Sequence, residues 1–454
     1  MMMKAPFLIL LVLHFLLPFQ SCFSASINLP LWKKKQLKSG SSSLVFPLAG
    51  DVYPNGYYQV TLEVGEPPKP YFLDIDTGSD LTWLQCDAPC AKCTPAPHSL
   101  YKPHKNVVTC KDPVCTSLHW PENHPCHDPD EQCDYEVEYA DRGSSLGVLV
   151  KDKFPLRFTN GSIVVPRLIF GRLTYPLAPT SCFPVKLFDL PKKLNQVTFY
   201  SCGYNQEVPT STHPPFTDGI LGLGDGKSSI LSQLSGLGLI RNVVGHCLSA
   251  QGGGFLFFGD DVLPSSGIAW RAIEQTSSEY VLCYVIRKHY SLGRAELLFD
   301  RQVTGVKDLP IILDSGSTFS YFSSEAYNIV VSSIKKNINA KQLTDAANDK
   351  SLPICWSGSK PFKSVNDVTV YFKPFTLSFM KAKNIGFQLL PEDYLILTEH
   401  GNICLGILNG TEVGLGNYNL IGDISLLDKM VIYDNEKKQI GWLPANCNKL
   451  PYTS

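Results

Sequence analysis

The sequence of 454 residues predicts an all-β protein. Short segments of aromatic and β-branched residues recur along the chain, and Gly, Pro, Asn or Asp clusters bound most of them. Glycine (34 residues) and proline (33 residues) together exceed the background of about 12%, which favours turn-rich β structure. Two segments stand out as helices. Many short strands with few helices indicate an all-β architecture.

The strand predictions rest on alternation of apolar and polar residues. The clearest case is Tyr57–Val64 (YYQVTLEV). Similar segments are Tyr71–Ile75, Glu136–Tyr139, Phe255–Phe258, Ile311–Leu313 and Met430–Tyr433.

Each predicted helix begins at a serine that can cap it and carries apolar residues at helical spacing. The predicted caps are Ser228 and Ser323. The apolar positions are Ile230, Leu231 and Leu234 in the first helix and Ala326, Val330 and Ile334 in the second.

Composition excludes several classes of protein. Charged residues make up 18% of the chain and the formal net charge is −1, so the chain has no basic footprint for nucleic acid. The sequence also lacks the bias of a coiled coil, a collagen, a disordered tail or a multi-span membrane protein.

The N-terminus predicts export. Lys4 precedes an apolar run from Phe7 to Phe19, and Ser24-Ala25-Ser26 offers a cleavage site, so residues 1–25 are predicted to be a signal peptide. The alternative is a membrane anchor, but a span needs about 20 apolar residues. Residues 26–44 are a short pro-segment or linker, or a disordered tail. We expect no membrane association and a route through the secretory pathway to the apoplast, vacuole or endoplasmic reticulum.

A four-residue motif occurs twice. Asp76-Thr77-Gly78-Ser79 and Asp314-Ser315-Gly316-Ser317 each follow an apolar strand. Each copy is followed downstream by two apolar residues and a glycine, Gly222 in the first case and Gly422 in the second. Two copies in this context arise by chance well below ~1% of the time, so the chain contains an internal duplication.

These residue types suit general acid and base catalysis. Two carboxyl groups within hydrogen-bond reach hold one proton between them. The ionised group accepts a proton from water, and the protonated group donates one to a substrate carbonyl. Gly78 and Gly316 allow close approach of backbone to the carboxyl groups. The hydroxyls of Thr77, Ser79, Ser315 and Ser317 can hold the carboxyl groups in place.

On these motifs the chain resembles the pepsin-like aspartic endopeptidases, in particular their plant nucellin-like and nepenthesin-like branch. The resemblance runs from about Tyr53 to Cys447. It implies a bilobal fold with two pseudo-symmetric β lobes, 45–260 and 261–447, around a central cleft, followed by a tail at 448–454. It also implies that Asp76 and Asp314 are catalytic, that polypeptides are the substrates, and that neither a metal nor a cofactor takes part. The chain is expected to be a monomer.

The stretch from Tyr139 to Gly147 resembles the flap hairpin of the family, and Tyr139 matches the flap tyrosine. The alternative is a half-buried strand tyrosine. Gly143 and Gly147 suit a mobile hairpin tip and favour the flap. Trp83 is expected to lie in the lobe core.

Cysteines and sequons fit an exported chain. Cys90-x-x-Cys93 could be half a zinc site, but oxidising export favours disulfides. The crowded cysteines are Cys86, Cys90, Cys93, Cys110, Cys115, Cys126 and Cys133. Asn160 and Asn409 begin glycosylation sequons.

Two segments depart from the family pattern, 172–201 and 280–287. The first separates Phe170-Gly171 from Cys202-Gly203-Tyr204, which are contiguous in the branch. We interpret both as retained non-coding or alternatively spliced sequence. Cys22 leaves with the signal peptide, and Cys182 and Cys283 lie in these segments, so the 15 cysteines reduce to an even set of 12.

Two functions of different classes follow. The first is an active aspartic endopeptidase, and both intact motifs favour it. The second is a catalytically impaired member that acts as a binding or inhibitor-like secreted protein. A third outcome is a form that the two insertions inactivate.

Overall fold

The computed structural model describes most of the chain from Ser43 to Leu450. The described ranges are 43–87, 96–103, 106–118, 128–139, 144–173, 217–274, 280–281, 284–285, 290–338, 343–379 and 386–450. The predicted signal peptide and residues 26–42 of the predicted pro-segment lie outside them, as does the end of the predicted tail at 451–454. The described residues all belong to one compact unit.

The described residues of the first half form short strands and a few helical turns. The strands are β1 (Leu44–Asp51), β2 (Tyr57–Val64), β3 (Lys69–Asp76), β4 (Trp83–Leu84), β5 (Asp134–Glu138), β6 (Ser144–Lys153), β7 (Leu156–Arg157), β8 (Ile163–Val164), β9 (Arg167–Leu173), β10 (Gly219–Gly222), β11 (Val243–Leu248) and β12 (Gly254–Phe258). The helices are α1 (Pro113–Leu118) and α2 (Ile230–Gly236).

The second half repeats this composition. Its strands are β13 (Ala269–Ala272), β14 (Tyr280–Val281), β15 (Tyr284–Val285), β16 (Ser291–Phe299), β17 (Gln302–Val303), β18 (Leu309–Leu313), β19 (Ser320–Phe322), β20 (Thr344–Asp345), β21 (Cys355–Ser357), β22 (Phe375–Phe379), β23 (Gly386–Leu389), β24 (Leu395–Leu397), β25 (Ile403–Leu405), β26 (Ile407–Asn409), β27 (Asn419–Ile421), β28 (Lys429–Asp434) and β29 (Gln439–Pro444). Its helices are α3 (Ser324–Asn337) and α4 (Asp423–Leu426), with 3-10 turns at Val365–Val368, Pro391–Asp393 and Gly410–Val413.

The largest sheet has 13 strands in the order β13-β29-β28-β11-β12-β1-β2-β3-β10-β4-β9-β6-β5. It therefore combines strands from both ends of the chain. A second sheet has the order β23-β22-β16-β18-β27-β19-β26, with β17 paired to β16. Smaller sheets are β20-β21-β25-β24, β7-β8 and β14-β15. The predicted all-β class is confirmed.

Burial follows the alternation that predicts the strands. In β2, Tyr58, Val60, Leu62 and Val64 are buried, and Thr61 between them is exposed. One face of this strand therefore packs into the core and the other remains solvated, as expected for a half-buried strand.

The two predicted helices form, with one correction. Helix α2 buries Ile230, Leu231 and Leu234, but its N-cap is Ser229 rather than Ser228. Ser229 has extended backbone, and its side chain accepts a hydrogen bond from the Ser232 backbone N–H at 3.1 Å. The other helix, α3, begins after Ser323 and buries Ala326, Val330 and Ile334 as predicted, but the Ser323 side chain makes no capping hydrogen bond.

The two atypical segments are described in part. Backbone pairing of β9 with β6 continues through Arg172 and Leu173, the first two residues of 172–201, and residues 174–201 lie outside the described residues. Within 280–287, β14 and β15 pair with each other, and neither pairs with another described strand. No helix in the described ranges is long and apolar enough to cross a bilayer.

Disulfides link several of the described cysteines. The bonds are Cys115–Cys133, Cys247–Cys447 and Cys355–Cys404. Cys86 and Cys110 are disulfide-bonded as well. Cys90, Cys93, Cys126, Cys182, Cys202 and Cys283 lie outside the described residues. Disulfides rather than metal ligation therefore account for the cysteines that are described.

Candidate active site

Each Asp-(Thr/Ser)-Gly-Ser motif forms a tight loop at the end of an apolar strand. Asp76 is the last residue of β3, and its Oδ1 accepts a hydrogen bond from the Gly78 backbone N–H at 2.7 Å. The Ser79 hydroxyl donates to Oδ2 of the same carboxyl group. Both oxygens of Asp76 are thereby held by their own loop.

The second motif repeats this arrangement after β18. The Gly316 backbone N–H donates to Asp314 Oδ1, and the Ser317 hydroxyl donates to Oδ2, each at 2.9 Å. The two carboxyl groups therefore accept matching hydrogen bonds from the same positions of their motifs, as the internal duplication predicts.

The two loops lie against each other. A Cβ atom added at Gly78 would lie 2.6 Å from Asp314 Oδ1, and one added at Gly316 would lie 2.5 Å from Asp76 Oδ1. Each glycine therefore stands where any side chain would collide with the carboxyl group of the other motif. The carboxyl groups of Asp76 and Asp314 therefore lie side by side, so the structure brings together the pair that the sequence singles out.

Reciprocal hydrogen bonds lock the loops behind the carboxyl groups. The Thr77 backbone N–H donates to Ser315 Oγ at 3.1 Å, and the Ser315 backbone N–H donates to Thr77 Oγ1 at 2.9 Å. The Ser315 hydroxyl also donates to the Ile75 carbonyl at 3.0 Å. Thr77 and Ser315 are almost completely buried, so this brace works in a medium where hydrogen bonds are strong.

Two glycines allow neighbouring backbone segments to approach each other closely beside the carboxyl groups. Strand β10 runs parallel to β3 with Gly222 beside Asp76, and β27 runs parallel to β18 just before Gly422. A Cβ at Gly222 would lie 2.5 Å from the Asp80 carbonyl carbon, and one at Gly422 would lie 2.2 Å from the Phe319 carbonyl oxygen. Close backbone approach explains why both copies of the repeat end in glycine.

Burial and charge both act on the Asp76 carboxyl group. Desolvation raises the pKa of Asp76 above its usual value, and the neighbouring Asp314 carboxylate adds to that rise. Hydrogen bonds from Ser79 and Gly78 oppose it but do not cancel it. The pair therefore retains a proton at a pH where an ordinary aspartate has lost its own.

The two strands that flank the predicted flap tip pair with each other. Strands β5 and β6 pair antiparallel from Asp134 opposite Val148 to Glu138 opposite Ser144. The tip at 140–143, with Gly143, lies outside the described residues. Tyr139 follows β5 directly, and its hydroxyl accepts a hydrogen bond from Trp83 Nε1 at 2.6 Å. Trp83 is buried in the core as predicted, and this bond to Tyr139 is a contact that the sequence did not indicate.

A buried tyrosine and histidine extend the polar network below the loops. The Tyr433 side chain faces that of Thr77, and its hydroxyl lies 3.3 Å from His246 Nε2. His246 is fully buried, its Nδ1 has no hydrogen-bond partner among the described residues, and burial lowers its pKa to about 3. Sequence reasoning missed both residues, because strands β11 and β28 that carry them become neighbours only through a long-range pairing.

Two more aspartates beside the pair were also missed. Asp74 lies on β3 two residues before Asp76, and Asp423 begins α4 directly after Gly422. Alternation along β3 places Asp74 and Asp76 on one face, which is a signal that the sequence already contained.

A group of metal-ligand residue types lies elsewhere, at Asp349, Cys355 and Cys404. The two cysteines form a disulfide, and Asp349 accepts hydrogen bonds from Thr398 Oγ1 at 2.7 Å and Asn402 Nδ2 at 2.9 Å. Those ligand atoms are already engaged, so this group does not form a metal centre.

The two sequon asparagines differ in their surroundings. Asn160 is exposed in a turn, where its Oδ1 accepts a hydrogen bond from the Ser162 backbone N–H at 2.9 Å. Asn409 is half-buried, and its Nδ2 donates to Glu412 Oε1 at 2.8 Å. Glycosylation at either site stays a prediction.

The fold and the paired loops define a class of protein. Two pseudo-equivalent β units, each ending a strand in an aspartate loop, make up the bilobal all-β fold of pepsin-like proteins. Solved structures support the fold. The soybean basic 7S globulin has a TM-score of 0.63 at 15% identity, with 91% of this chain and 99% of that chain covered. Lupine conglutin gamma has a TM-score of 0.64 at 14% identity, covering 91% and 98%.

Sequence comparisons place the chain more closely. The family model described as Xylanase inhibitor N-terminal matches residues 58–181 and 183–260, and the one described as Xylanase inhibitor C-terminal matches 290–444. An aspartic proteinase of Oryza sativa subsp. japonica is 39% identical over 92% of this chain and 94% of its own length. Aspartic proteinase nepenthesin-2 of Nepenthes gracilis is 23% identical over 91% and 81%. The chain therefore belongs to the plant branch of the pepsin-like aspartic proteinase family.

Proposed function

We propose that the chain is an aspartic-type endopeptidase that hydrolyses peptide bonds of polypeptide substrates at acidic pH. The observation that carries this proposal is the close approach of the carboxyl groups of Asp76 and Asp314, each of which lies against the glycine of the other motif. Both carboxyl groups are held by matching loops, and Gly78 and Gly316 leave room for them.

The chemistry follows from one proton shared by two carboxyl groups. The ionised member accepts a proton from a water molecule, whose oxygen attacks the carbonyl carbon of the scissile amide. The protonated member donates its proton to the carbonyl oxygen, which gives a neutral tetrahedral intermediate. The proton accepted from water then passes to the departing amine as the C–N bond breaks, and a hydroxyl group of the intermediate returns a proton to the other carboxylate, which gives the carboxylic acid product and restores the starting pair. Asp76 and Asp314 carry these steps, while Thr77 and Ser315 keep the two carboxyl groups in register.

The hairpin of β5 and β6 supplies the flap in this proposal. Its base is positioned by the hydrogen bond from Trp83 to Tyr139. Closure of the hairpin over a bound peptide excludes water and fixes the substrate against the carboxyl pair. The proposal requires neither a metal nor a cofactor.

The pH dependence has a definite sign. Because burial and Asp314 raise the pKa of Asp76, the shared proton is kept through the acidic range and is lost as pH rises. Activity should therefore fall on the alkaline side when the pair becomes fully ionised. It should fall again at low pH when both carboxyl groups are protonated.

Cleavage of a denatured protein at acidic pH, with and without pepstatin, tests the proposal. The parent should cut the substrate, and pepstatin should stop it. Asp76→Asn should abolish cleavage, whereas Asp345→Asn, which changes an exposed aspartate, should not alter it. Equal cleavage by the parent and by Asp76→Asn would show that another group performs the reaction.

A second candidate is a secreted binding or inhibitor-like protein on the same fold. The family models that match the chain carry the name of xylanase inhibitors, and this observation favours it. Intact loops at Asp76 and Asp314 favour the enzyme instead. A chain that binds a xylanase but cuts no polypeptide at any pH would support the second candidate.

Export belongs to the proposal as well. In this proposal the chain enters the secretory pathway and acts there or outside the cell as a monomer. Its segments are a signal peptide at 1–25, a pro-segment or linker at 26–44, and two lobes at 45–260 and 261–447. Mass spectrometry of the mature N-terminus after expression in plant cells tests these boundaries.

A further inference from the structure

The two glycosylation sequons follow the same sequence rule but have different surroundings in the fold. Asn160-Gly161-Ser162 and Asn409-Gly410-Thr411 both satisfy the pattern for N-glycosylation, so the sequence does not distinguish them. An oligosaccharide on the amide nitrogen is bulky and hydrated, and it has to project into solvent from the folded protein. The fold therefore decides which asparagine can carry one.

Asn160 lies in the turn that joins the paired strands β7 and β8. The Phe158 backbone N–H closes this turn by donating to the Ser162 carbonyl at 2.8 Å, and Asn160, Gly161 and Ser162 are all exposed. A Cβ added at Gly161 would meet no atom within 4 Å. The turn therefore has open space around it for a sugar.

The Asn160 side chain stabilises its turn through the oxygen alone. Oδ1 accepts hydrogen bonds from the Ser162 backbone N–H at 2.9 Å and from the Ser162 hydroxyl at 2.7 Å. Nδ2 makes no hydrogen bond within the part of the chain that the structure describes. A sugar bonded to Nδ2 would therefore leave both hydrogen bonds of the turn in place.

The second sequon caps a helix that lies far from it in the sequence. Helix α3 begins after Ser323, whose side chain makes no capping hydrogen bond. Instead, the Ser324 backbone N–H donates to Thr411 Oγ1, and the Ser324 hydroxyl donates to Asn409 Oδ1, each at 3.0 Å. The first N–H groups of a helix have no partner within it, so Thr411 supplies one from 87 residues further along the chain.

Both polar atoms of the Asn409 amide are engaged. Oδ1 also accepts a hydrogen bond from the Thr411 backbone N–H at 3.2 Å, and Nδ2 donates to Glu412 Oε1 at 2.8 Å. The Thr411 hydroxyl donates in turn to the Gly416 carbonyl at 3.0 Å. Because Asn409 is half-buried and bonded to both α3 and the 3-10 turn, a sugar on Nδ2 would displace groups that these bonds hold.

We propose that Asn160 carries an N-linked oligosaccharide and that Asn409 stays unmodified, because its sequon serves as the remote cap of α3. The inference rests on the proposed export, since the donor is a lipid-linked oligosaccharide diphosphate of the secretory pathway. In the transfer, a bond forms between Asn160 Nδ2 and the anomeric carbon of the sugar. The bond from that carbon to the diphosphate oxygen breaks, the diphosphate leaves with the electron pair, and one Nδ2 proton passes to a base of the transferring enzyme.

Glycopeptide mass spectrometry of the chain secreted from plant cells tests the proposal directly. Peptides that contain Asn160 should carry an oligosaccharide in most molecules, and peptides that contain Asn409 should have the mass of the bare sequence. This measurement uses the unchanged chain, so it does not depend on the folding of any variant. An oligosaccharide on Asn409 in most molecules, or a bare Asn160 in the secreted chain, would overturn the proposal.

Matched variants test the reason for the difference. Asn160→Gln should lose the N-linked oligosaccharide, whereas Asn409→Gln should keep it and lower the unfolding midpoint by roughly 2 to 4 °C, as expected for a lost helix cap. Thr411→Val removes the capping hydroxyl and should lower the midpoint in the same way. The control Thr411→Ser keeps both the hydroxyl and the sequon and should match the parent. Midpoints of Asn409→Gln and Thr411→Val equal to that of the parent would overturn the capping role.

A chain in which the signal peptide of an established secreted protein replaces residues 1–25 separates this proposal from the proposed export. If only this chain carries an oligosaccharide on Asn160, export by the native N-terminus fails and the assignment of Asn160 stands. If this chain reaches the medium with Asn160 bare, the assignment fails, whatever the native N-terminus does.

Discussion

The buried histidine beneath the carboxyl loops makes a quantitative prediction about stability in acid. His246 is fully buried, and burial lowers its pKa from about 6.5 in the unfolded chain to about 3 in the folded protein. Between these two pKa values the unfolded chain therefore binds a proton at His246 that the folded protein does not bind. Stability is fully present above the unfolded pKa and falls as pH drops toward the folded pKa.

The size of this loss follows from linkage at about 1.36 kcal/mol for each pH unit. Between pH 7 and pH 4.5 the histidine should cost the folded protein roughly 2.5 kcal/mol, and the loss should approach roughly 4 to 5 kcal/mol near pH 3. Replacement by a neutral amide, His246→Gln, removes the titration and leaves a side chain that can still bond to Tyr433.

Urea unfolding measures the difference. Both chains carry Asp76→Asn so that no self-cleavage occurs, and their free energies of unfolding are compared at pH 7 and pH 4.5. The variant should gain about 2.5 kcal/mol on the parent between the two pH values, whatever its stability at pH 7. The control His400→Gln changes an exposed ring and should show no such gain. A gap between parent and His246→Gln that stays constant with pH would refute the reasoning.

Two further predictions follow from contacts in the fold. Gly316→Ala places a Cβ 2.5 Å from Asp76 Oδ1, so the rate of peptide cleavage should fall at least a hundredfold with little change in the unfolding midpoint. The control Gly236→Ala adds a Cβ that meets no atom within 4 Å and should keep full activity in the same assay. Cys447→Ser removes a disulfide between residues 200 apart in sequence and should lower the free energy of unfolding in urea by about 5 kcal/mol. Cys133→Ser removes a disulfide between residues 18 apart and should lower it by about 3 kcal/mol. Equal losses would contradict the argument from loop length.

Local sequence patterns predicted much of the fold and most of the residues of the candidate site. Strand β2 could be predicted at its observed bounds, because alternation and aromatic residues mark it in the chain itself. Asp76 and Asp314 could be identified as a pair because each follows an apolar strand in the same short motif. The cap of α2 was wrong by one residue, since Ser228 and Ser229 are both able to cap and only the backbone geometry decides between them.

Long-range placement explains what the sequence did not predict. Asp423 lies far from Asp76 in the chain, and only parallel pairing of β18 with β27 brings its segment to the site. The bond between Trp83 and Tyr139 likewise depends on the pairing of β4 with β9, which places β4 in the same sheet as the hairpin. Such contacts arise from tertiary structure, and no local pattern encodes them.

The central claim is that Asp76 and Asp314 act as one unit in hydrolysis of a peptide bond. The most direct measurement is kcat/KM at acidic pH for the parent, Asp76→Asn, Asp314→Asn and the double variant on one peptide substrate, with Asp345→Asn as the control. Each single variant should lose at least a thousandfold, and the double variant should lose no more than either single one, because groups that share one proton fail together. Losses that multiply in the double variant, or a single variant within tenfold of the parent, would contradict the account.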